Sequence, residues 1–287
     1  MLILSFPETR EIAKKVAKAL KAEHSEIISK KFPDSESYIR LKSNPENKTV
    51  VIIASLAKDV NNKLIDTILA AQAARENGAN KMVLIATYLP YMRQDKHFNQ
   101  YEVISAKKIL HIFREHFDEI FAIDPHLHRI HSLSDVIKNA ESITVRPLVA
   151  YYIKKRFGTD FTIVGPDEES YQWGKEIAHM LGTKVIILNK IRINSEKVKI
   201  KKHKMSKNII IIDDIISTGY TALETIKMAR EHGATKIIYL AIHAILTQNS
   251  AKKITKYAEL IATNTIPNKF AKIDVSPIIA SELKRYF

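Results

Sequence analysis

The sequence predicts an α/β protein built from two similar domains, each a mainly parallel sheet flanked by helices. Two observations lead to this prediction. Short β-branched runs alternate with amphipathic stretches, and one strand–helix–strand series returns later in the chain. The chain has 287 residues, of which 46% are hydrophobic, and this is enough to bury the cores of two domains.

The repeated series can be followed element by element. The first copy is a strand at 50–55, a helix at 61–77 and a strand at 81–86; the second is a strand at 209–212, a helix at 219–232 and a strand at 236–241. The letters agree as well, since AARENGANKMVLIA (73–86) aligns with MAREHGATKIIYLA (228–241) at a constant offset. Gly78 and Gly233 both stand where a helix would end in the left-handed conformation.

We therefore expect a duplication, with an N-terminal domain at 1–142 and a C-terminal domain at 143–287. The division falls in the polar stretch around 138–147. This division also allows the last helix to pack back on the N-terminal domain.

Charge and cysteine content narrow the classes of partner. The net charge of +14 suits nucleic acid or phosphorylated small molecules, or reflects a lysine-rich surface. The basic run at 197–207 has no interleaved aromatic residues, so we expect a solvated edge there and no nucleic-acid partner. The absence of cysteine excludes disulfides and thiolate metal sites and fits a cytoplasmic protein. No apolar run reaches the roughly 18 residues of a membrane span, so no membrane partner is expected.

The stretch IIIIDDIISTGYT (209–221) is the most informative part of the chain. Four isoleucines lead into Asp213 and Asp214, and a loop with Ser217, Thr218 and Gly219 then opens a helix. The first copy has Ala54-Ser55 and Leu56-Ala57 at this point instead. Because one copy has the acidic, polar loop and the other lacks it, we expect the second domain to bind a ligand there.

The chemistry of this loop indicates the ligand. Ligands of open parallel sheets lie beyond the carboxyl ends of the strands, and a helix N-terminus with hydroxyl side chains suits a phosphate. The two acids would repel a phosphate, but they suit neighbouring sugar hydroxyls or a magnesium ion. A pentose 5-phosphate meets both requirements. The alternative is an N-capping aspartate with an ordinary Ser/Thr turn.

Five other segments carry polar groups that could bind a ligand. They are Phe32-Pro33-Asp34-Ser35-Glu36, Arg93-Gln94-Asp95, Asp124-Pro125-His126, Gly165-Pro166-Asp167 and Lys190-Ile191-Arg192. Taken singly, each also has a plain structural interpretation, such as a turn or a charged strand edge. With only seven glycines, the chain has no Gly-x-Gly or Gly-x-x-x-x-Gly-Lys motif, so dinucleotide-binding and P-loop folds are not expected.

In this order and at about this spacing, the segments resemble the ribose-phosphate pyrophosphokinase family, with an archaeal-like form. The stretch at 209–221 alone resembles the phosphoribosyl diphosphate signature of the type I phosphoribosyltransferase fold. The resemblance runs over nearly the whole chain. It implies two phosphoribosyltransferase-like domains and the transfer of a diphosphoryl group from ATP to ribose 5-phosphate, with Mg2+ as cofactor.

The resemblance also implies roles for single residues. The ATP-binding residues would be Phe32, Asp34, Ser35, Glu36, Arg93, Gln94 and His126. The ribose 5-phosphate site would comprise Arg192, Asp213, Asp214, Ser217, Thr218, Gly219, Tyr220 and Thr221. His126 and Asp167 would help to bind Mg2+, and Lys190 and Arg192 would be catalytic. Because Phe32, Asp34 and Glu36 would reach ATP from a neighbouring subunit, a homo-oligomer of at least two chains is implied.

The sequence departs from the family pattern at several positions. Ser35 stands where glycine is frequent, Ser217 and Phe98 stand where acids occur in some members, and Asp167 is followed by Glu168-Glu169-Ser170. Two alternatives stay open at this stage: a phosphoribosyltransferase that consumes phosphoribosyl diphosphate, and a catalytically silent protein that regulates a synthetase.

Overall fold

The computed structural model describes residues 1–187, 191–193, 197–199 and 206–287. The described chain divides into two compact units. Unit 1 comprises Met1–Thr144, Thr265–Pro267 and Asp274–Phe287, and unit 2 comprises Val145–Asn264 and Asn268–Ile273. The end of the chain thus belongs to the same unit as its beginning. None of the described helices combines the length and the apolar character that a membrane crossing requires.

Unit 1 is built on a seven-stranded sheet. Its strands are β1 (Leu2–Ser5), β2 (Glu23–Lys31), β3 (Ser37–Leu41), β4 (Thr49–Ser55), β5 (Lys81–Tyr88), β6 (Glu119–Ile123) and β7 (Ala140–Ile143). The strand order is β3-β2-β1-β4-β5-β6-β7, and every pair is parallel except the hairpin of β2 and β3. The helices are α1 (Arg10–Leu20), α2 (Val60–Glu76), α3 (Ser105–His116) and the C-terminal helix α8 (Ser276–Tyr286).

Unit 2 is built on a six-stranded parallel sheet. Its strands are β8 (Thr162–Gly165), β9 (Lys184–Ile187), β12 (Asn208–Ile216), β13 (Lys236–Ala244), β14 (Glu259–Thr263) and β15 (Ala271–Ile273), in the order β15-β14-β13-β12-β8-β9. A separate antiparallel pair consists of β10 (Ile191–Ile193) and β11 (Lys197–Lys199). The helices are α4 (Arg146–Phe157), α5 (Glu168–Leu181), α6 (Tyr220–Glu231) and α7 (Gln248–Thr255).

The two sheets repeat one topology. Taken in chain order, β1, β2, β4, β5, β6 and β7 correspond to β8, β9, β12, β13, β14 and β15, and the spatial order of the two sets is the same. The predicted α/β class with two mainly parallel sheets is therefore confirmed. Gly78 and Gly233 have φ values of +84° and +101°, as expected for glycines that end the repeated helix.

The cores explain why these runs form central strands. From Val50 to Ser55 every residue of β4 is buried, and so is every residue from Ile209 to Asp213 in β12. Strands buried on both faces read as continuous apolar runs instead of alternating ones. The sheets thus place the carboxyl ends of β4 and β12 in equivalent positions of the two units.

Candidate functional site

The paired acids lie inside strand β12 and not at its end. The sequence predicts a strand that stops at Ile212, but β12 continues to Ile216 because its pairing with β13 continues, with Asp213 opposite Ala241 and Ile216 opposite Ala244. Since neighbouring residues of a strand face opposite sides, Asp213 and Asp214 cannot act as an equivalent pair. Asp213 is buried and Asp214 is half-buried.

Asp213 is held by groups from two other elements. Its Oδ2 accepts a hydrogen bond of 2.5 Å from the hydroxyl of Tyr239 in β13. Its Oδ1 accepts a weaker contact of 3.5 Å from the hydroxyl of Ser170 in α5. Burial and the nearby carboxylate of Asp214 raise the pKa of Asp213 to about 8, although the hydrogen bond from Tyr239 acts in the opposite direction. The half-buried Asp214 is the next residue of β12, and its Oδ1 accepts the backbone N–H of Ile215 at 2.7 Å.

The loop after β12 leads into helix α6. Thr218, Tyr220 and Thr221 are exposed, and Ser217 is half-buried. Gly219 is the N-cap of the helix, and no side chain caps this end. The first N–H groups of a helix lack partners within the helix and favour an anion. The loop therefore presents hydroxyls and a helix N-terminus on the exposed side.

Gly219 is required here for two reasons. Its φ of +76° is a conformation that L side chains rarely adopt. A Cβ at this position would also lie 3.0 Å from Ile254 Cδ1 and 3.0 Å from Ser250 Cβ, both in α7. The close packing of α7 fixes the course of the loop.

Asp167 has a structural role at the start of α5. It is the N-cap residue, and its Oδ1 accepts the backbone N–H of Ser170 at 2.8 Å. Ser170 therefore touches two acids, because its hydroxyl points to Asp213. The exposed Asp167 and the buried Asp213 are joined through one residue of unit 2.

Sequence reasoning missed Tyr239 and Ser170. A signal existed for each. Tyr239 carries a hydroxyl within the otherwise apolar stretch that follows Lys236, and Ser170 belongs to the departure from the family pattern after Asp167. The pairing register was the missing information. Lys190 lies outside the described residues, and for Arg192 the structure gives only its place in β10.

In unit 1, Phe32 to Glu36 form the tight turn between β2 and β3. The backbone N–H of Phe32 donates to the carbonyl of Glu36 at 2.8 Å, and Asp34 Oδ1 accepts the N–H of Glu36 at 3.1 Å. Ser35 has a φ of +76°, which explains in physical terms why glycine suits this position. The ring of Phe32 is 50% exposed and meets Tyr38 edge-on at 5.9 Å between ring centres.

The segment at 93–95 divides into one exposed residue and two anchored ones. Arg93 is exposed. The side-chain oxygen of Gln94 accepts the Ser105 hydroxyl, and its Nε2 lies 3.5 Å from Glu102 Oε2.

Asp95 is buried and is held by Arg129, whose N–H and Nη1 donate at 2.8 and 3.1 Å. Burial alone would raise the pKa of Asp95, but these hydrogen bonds and the charge of Arg129 outweigh it and lower the pKa.

His126 follows the buried Asp124 at the end of β6 and is half-buried. Within the described part of the chain, no three His, Asp or Glu side chains are grouped closely enough to hold a metal ion by themselves.

A comparison with solved structures shows the class of fold. The structure matches that of phosphoribosylpyrophosphate synthetase from Mycobacterium smegmatis with a TM-score of 0.87 at 21% identity, covering 100% of this chain and 98% of that one. The chain therefore has the α/β fold of that protein, with two mainly parallel sheets, one of which carries a polar loop between a strand and a helix.

Relatives then identify the family. Residues 1–116 match the N-terminal domain of ribose phosphate pyrophosphokinase, and residues 179–287 match the phosphoribosyl synthetase-associated domain. The ribose-phosphate pyrophosphokinase of Sulfurisphaera tokodaii is 31% identical over 99% of this chain and 100% of its own length. That of Methanopyrus kandleri is 29% identical over 99% of both chains. The chain belongs to the ribose-phosphate pyrophosphokinase family, as its sequence motifs predict.

Proposed function

We propose that the chain transfers the β,γ-diphosphoryl group of ATP to the C1 hydroxyl of ribose 5-phosphate, forming phosphoribosyl diphosphate and AMP for nucleotide biosynthesis in the cytoplasm. The single observation that carries this proposal is the strand–loop–helix of unit 2. Acids on β12, the hydroxyls at 217–221 and a helix N-terminus without a side-chain cap lie together there. Unit 1 has Ala54-Ser55 and Leu56-Ala57 in the equivalent stretch, without acids.

The ribose 5-phosphate end of the site would use both kinds of group. The N-terminus of α6 and the hydroxyls of Ser217, Thr218 and Thr221 would bind the 5-phosphate, with Gly219 allowing close approach. Tyr220, 69% exposed, would flank it. Asp214 and the accessible edge of Asp213 would accept ribose hydroxyls, and Arg192 would add a cation.

The ATP end would be built by unit 1 residues. We assign Phe32, Asp34, Ser35 and Glu36 to the adenosine, and Arg93, Gln94 and His126 to the remainder of ATP. The exposed ring of Phe32 at the tip of a hairpin is suited to stack on the adenine of an ATP molecule bound to a neighbouring copy of the chain. We therefore propose a homo-oligomer of at least two chains. Gln94 would act partly by fixing the loop at 93–95, because the oxygen and the nitrogen of its amide both have partners within unit 1.

The residues present fit a magnesium ion that arrives with ATP. Mg2+ is usually held by one or two carboxylates together with waters and substrate phosphates, so the absence of a three-residue cluster among the described residues is compatible with it. The exposed carboxylate of Asp167 and the half-buried His126 are the residues that we assign to it. When bound, Mg2+ would neutralise charge on the phosphate oxygens.

Catalysis would then be mainly a matter of positioning and charge. The C1 oxygen attacks the β-phosphorus, the bond from that phosphorus to the α,β-bridging oxygen breaks, and AMP leaves. The C1 hydroxyl loses its proton in this step. Loop 217–221 and the β12 acids would hold the sugar in place. Lys190 and Arg192 would stabilise negative charge on the transferred group and on AMP.

The proposal is tested by phosphorus NMR on the purified chain with Mg2+, ATP and ribose 5-phosphate. We expect AMP and a new phosphoribosyl diphosphate signal. Lys190→Ala should lower turnover by roughly a thousandfold while ribose 5-phosphate still binds. Lys236→Ala, at the exposed start of β13, is the matched control and should leave turnover unchanged. ADP in place of AMP, or a fully active Lys190→Ala variant, would contradict the proposal.

A further inference from the structure

The proposed ligand contacts of Asp213 do not explain its buried hydrogen bond with Tyr239. Tyr239 is fully buried in β13, yet it ends in a polar hydroxyl. That hydroxyl donates to Asp213 Oδ2 at 2.5 Å. A hydrogen bond in the interior of a protein is stronger than one in water and fixes the direction of the acceptor. Tyr239 therefore sets the orientation of a side chain at the edge of the ligand site.

The two halves of the chain provide an internal comparison. In the aligned stretches 73–86 and 228–241, Leu84 stands in the place of Tyr239. Leu84 pairs with Ile52 as Tyr239 pairs with Ile211. Two residues further along the strand, Ala54 takes the place of Asp213.

Both members of the pair are thus absent from unit 1. Leu84 and Ala54 are almost fully buried, so an apolar pair fills the same position of the same fold without difficulty. The fold itself does not require the tyrosine. It occurs where the ligand-binding acid occurs, which links it to the site.

A second group acts on Asp213 from another element. The Ser170 hydroxyl lies 3.5 Å from Asp213 Oδ1, and its backbone N–H donates to Asp167. Tyr239 and Ser170 thus hold the two oxygens of one carboxylate unequally. The shorter bond fixes Oδ2 in the interior, and the Oδ1 side faces the start of α5.

We propose that Tyr239 is a positioning residue for ribose 5-phosphate, with Ser170 as a weaker second anchor. The inference rests on the proposed function, since it assigns the ligand to the same site. Tyr239 holds the carboxylate of Asp213 so that one oxygen is committed to the interior and the other edge accepts a ribose hydroxyl. The phenol stays protonated in this role, because burial and the adjacent Asp213 raise the pKa of Tyr239 well above its ordinary value.

The test is calorimetric titration of ribose 5-phosphate into the full chain without ATP. We expect Tyr239→Phe to weaken ribose 5-phosphate binding about tenfold, as for loss of one buried hydrogen bond. The affinity for ATP should stay within about twofold. Ser170→Ala should weaken ribose 5-phosphate binding less, by about threefold, because its contact is longer. Tyr152→Phe removes a hydroxyl of unit 2 that contacts Arg156 and not the site, and it should change nothing.

A double-mutant cycle separates positioning from simple loss of structure. In the Asp213→Ala background, Tyr239→Phe should weaken ribose 5-phosphate binding by less than about twofold, because the side chain that Tyr239 orients is gone. An undiminished tenfold loss in that background, equal losses for both substrates, or unchanged binding in Tyr239→Phe would each overturn the inference. If Tyr239→Phe does not fold, the same cycle with Ser170→Ala decides between these outcomes.

The same titration distinguishes the inference from the proposed function. A chain that forms no AMP, yet binds ribose 5-phosphate with the expected coupling between Tyr239 and Asp213, would support the inference and contradict the proposed reaction. A wild-type chain that does not bind ribose 5-phosphate would overturn both.

Discussion

At the residue scale, the site depends on a carboxylate in an unusual environment. Asp213 has only 7% of its surface exposed and lies next to a second acid. Burial and a neighbouring carboxylate both favour the protonated form. Asp213 is therefore neutral over a pH range in which an ordinary aspartate is charged, and its environment differs from that of the half-buried Asp214.

This environment predicts a pH dependence of stability. The unfolded pKa of an aspartate is about 3.9, whereas the folded pKa of Asp213 is about 8. Between these values the folded state binds a proton that the unfolded state has lost. The contribution of Asp213 to stability is therefore full below the unfolded pKa and is lost as the pH rises through the folded pKa.

Asp213→Asn should remove this dependence, because the amide resembles the neutral acid and does not titrate. One pKa unit corresponds to about 1.4 kcal/mol. From pH 5 to pH 9, the wild type should therefore lose more than about 1 kcal/mol of unfolding free energy relative to the variant. Urea unfolding at both pH values measures this. A constant difference between the two proteins would mean that Asp213 has an ordinary pKa in the folded chain.

At the element scale, the strand–loop–helix of 208–231 shows which features a sequence can predict. Four isoleucines predict a buried strand, and the structure confirms it as part of β12. The predicted end of this strand at Ile212 was wrong, because β12 runs to Ile216. Pairing with β13 overrides the low β-propensity of aspartate. The partner of Asp213 could not be predicted, since Tyr239 belongs to another strand and reaches Asp213 only in one register. The anchored amide of Gln94 was missed for the same reason, because Ser105 and Glu102 come from α3 and its preceding loop.

The loop itself should be sensitive to one methyl group. Gly219→Ala adds a Cβ in the left-handed region and brings it within 3.0 Å of α7. Gly182→Ala is the matched control, because Gly182 has a φ of +65° with nothing within 4 Å of the added Cβ. Both variants should lose about 1 kcal/mol from backbone strain. Only Gly219→Ala should lose a further 1 kcal/mol or so from overpacking and weaken ribose 5-phosphate binding.

Thermal unfolding and titration of ribose 5-phosphate measure the two effects. Equal losses of stability in both alanine variants, with unchanged binding, would mean that α7 gives way to the methyl group and does not define the loop.

At the scale of the whole molecule, the chain crosses from unit 1 to unit 2 and then returns. Helix α8 packs against α1 within unit 1 and buries Ile279, Ala280 and Leu283. Tyr286 meets Phe121 edge-on at 5.2 Å between ring centres. The hydroxyls of Ser55 and Thr87, on the two central strands, donate to the carbonyl of Thr265. The returning segments therefore complete the core of unit 1.

Removal of 274–287 should destabilise unit 1 selectively. Each buried aliphatic side chain contributes about 1.5–3 kcal/mol, so the loss approaches the 5–15 kcal/mol that holds a typical domain folded. Trp173 is the only tryptophan and lies in α5 of unit 2. In the shortened chain, circular dichroism should show an early transition while tryptophan fluorescence keeps its native midpoint. Removal of the half-exposed Phe287 alone is the control. A fluorescence transition that moves together with circular dichroism would mean that the two units unfold as one.

The return of the chain also has a consequence for synthesis on the ribosome. Chains emerge at about 5–20 residues per second, and domains tend to fold in order of appearance. Here the first unit to emerge lacks α8 and the Thr265 carbonyl until all of β8 to β14 has been made. Unit 2 can close its sheet almost as soon as β15 leaves the ribosome, whereas unit 1 waits with its α1 surface uncovered. The half of the protein that is translated first is therefore the half that is completed last.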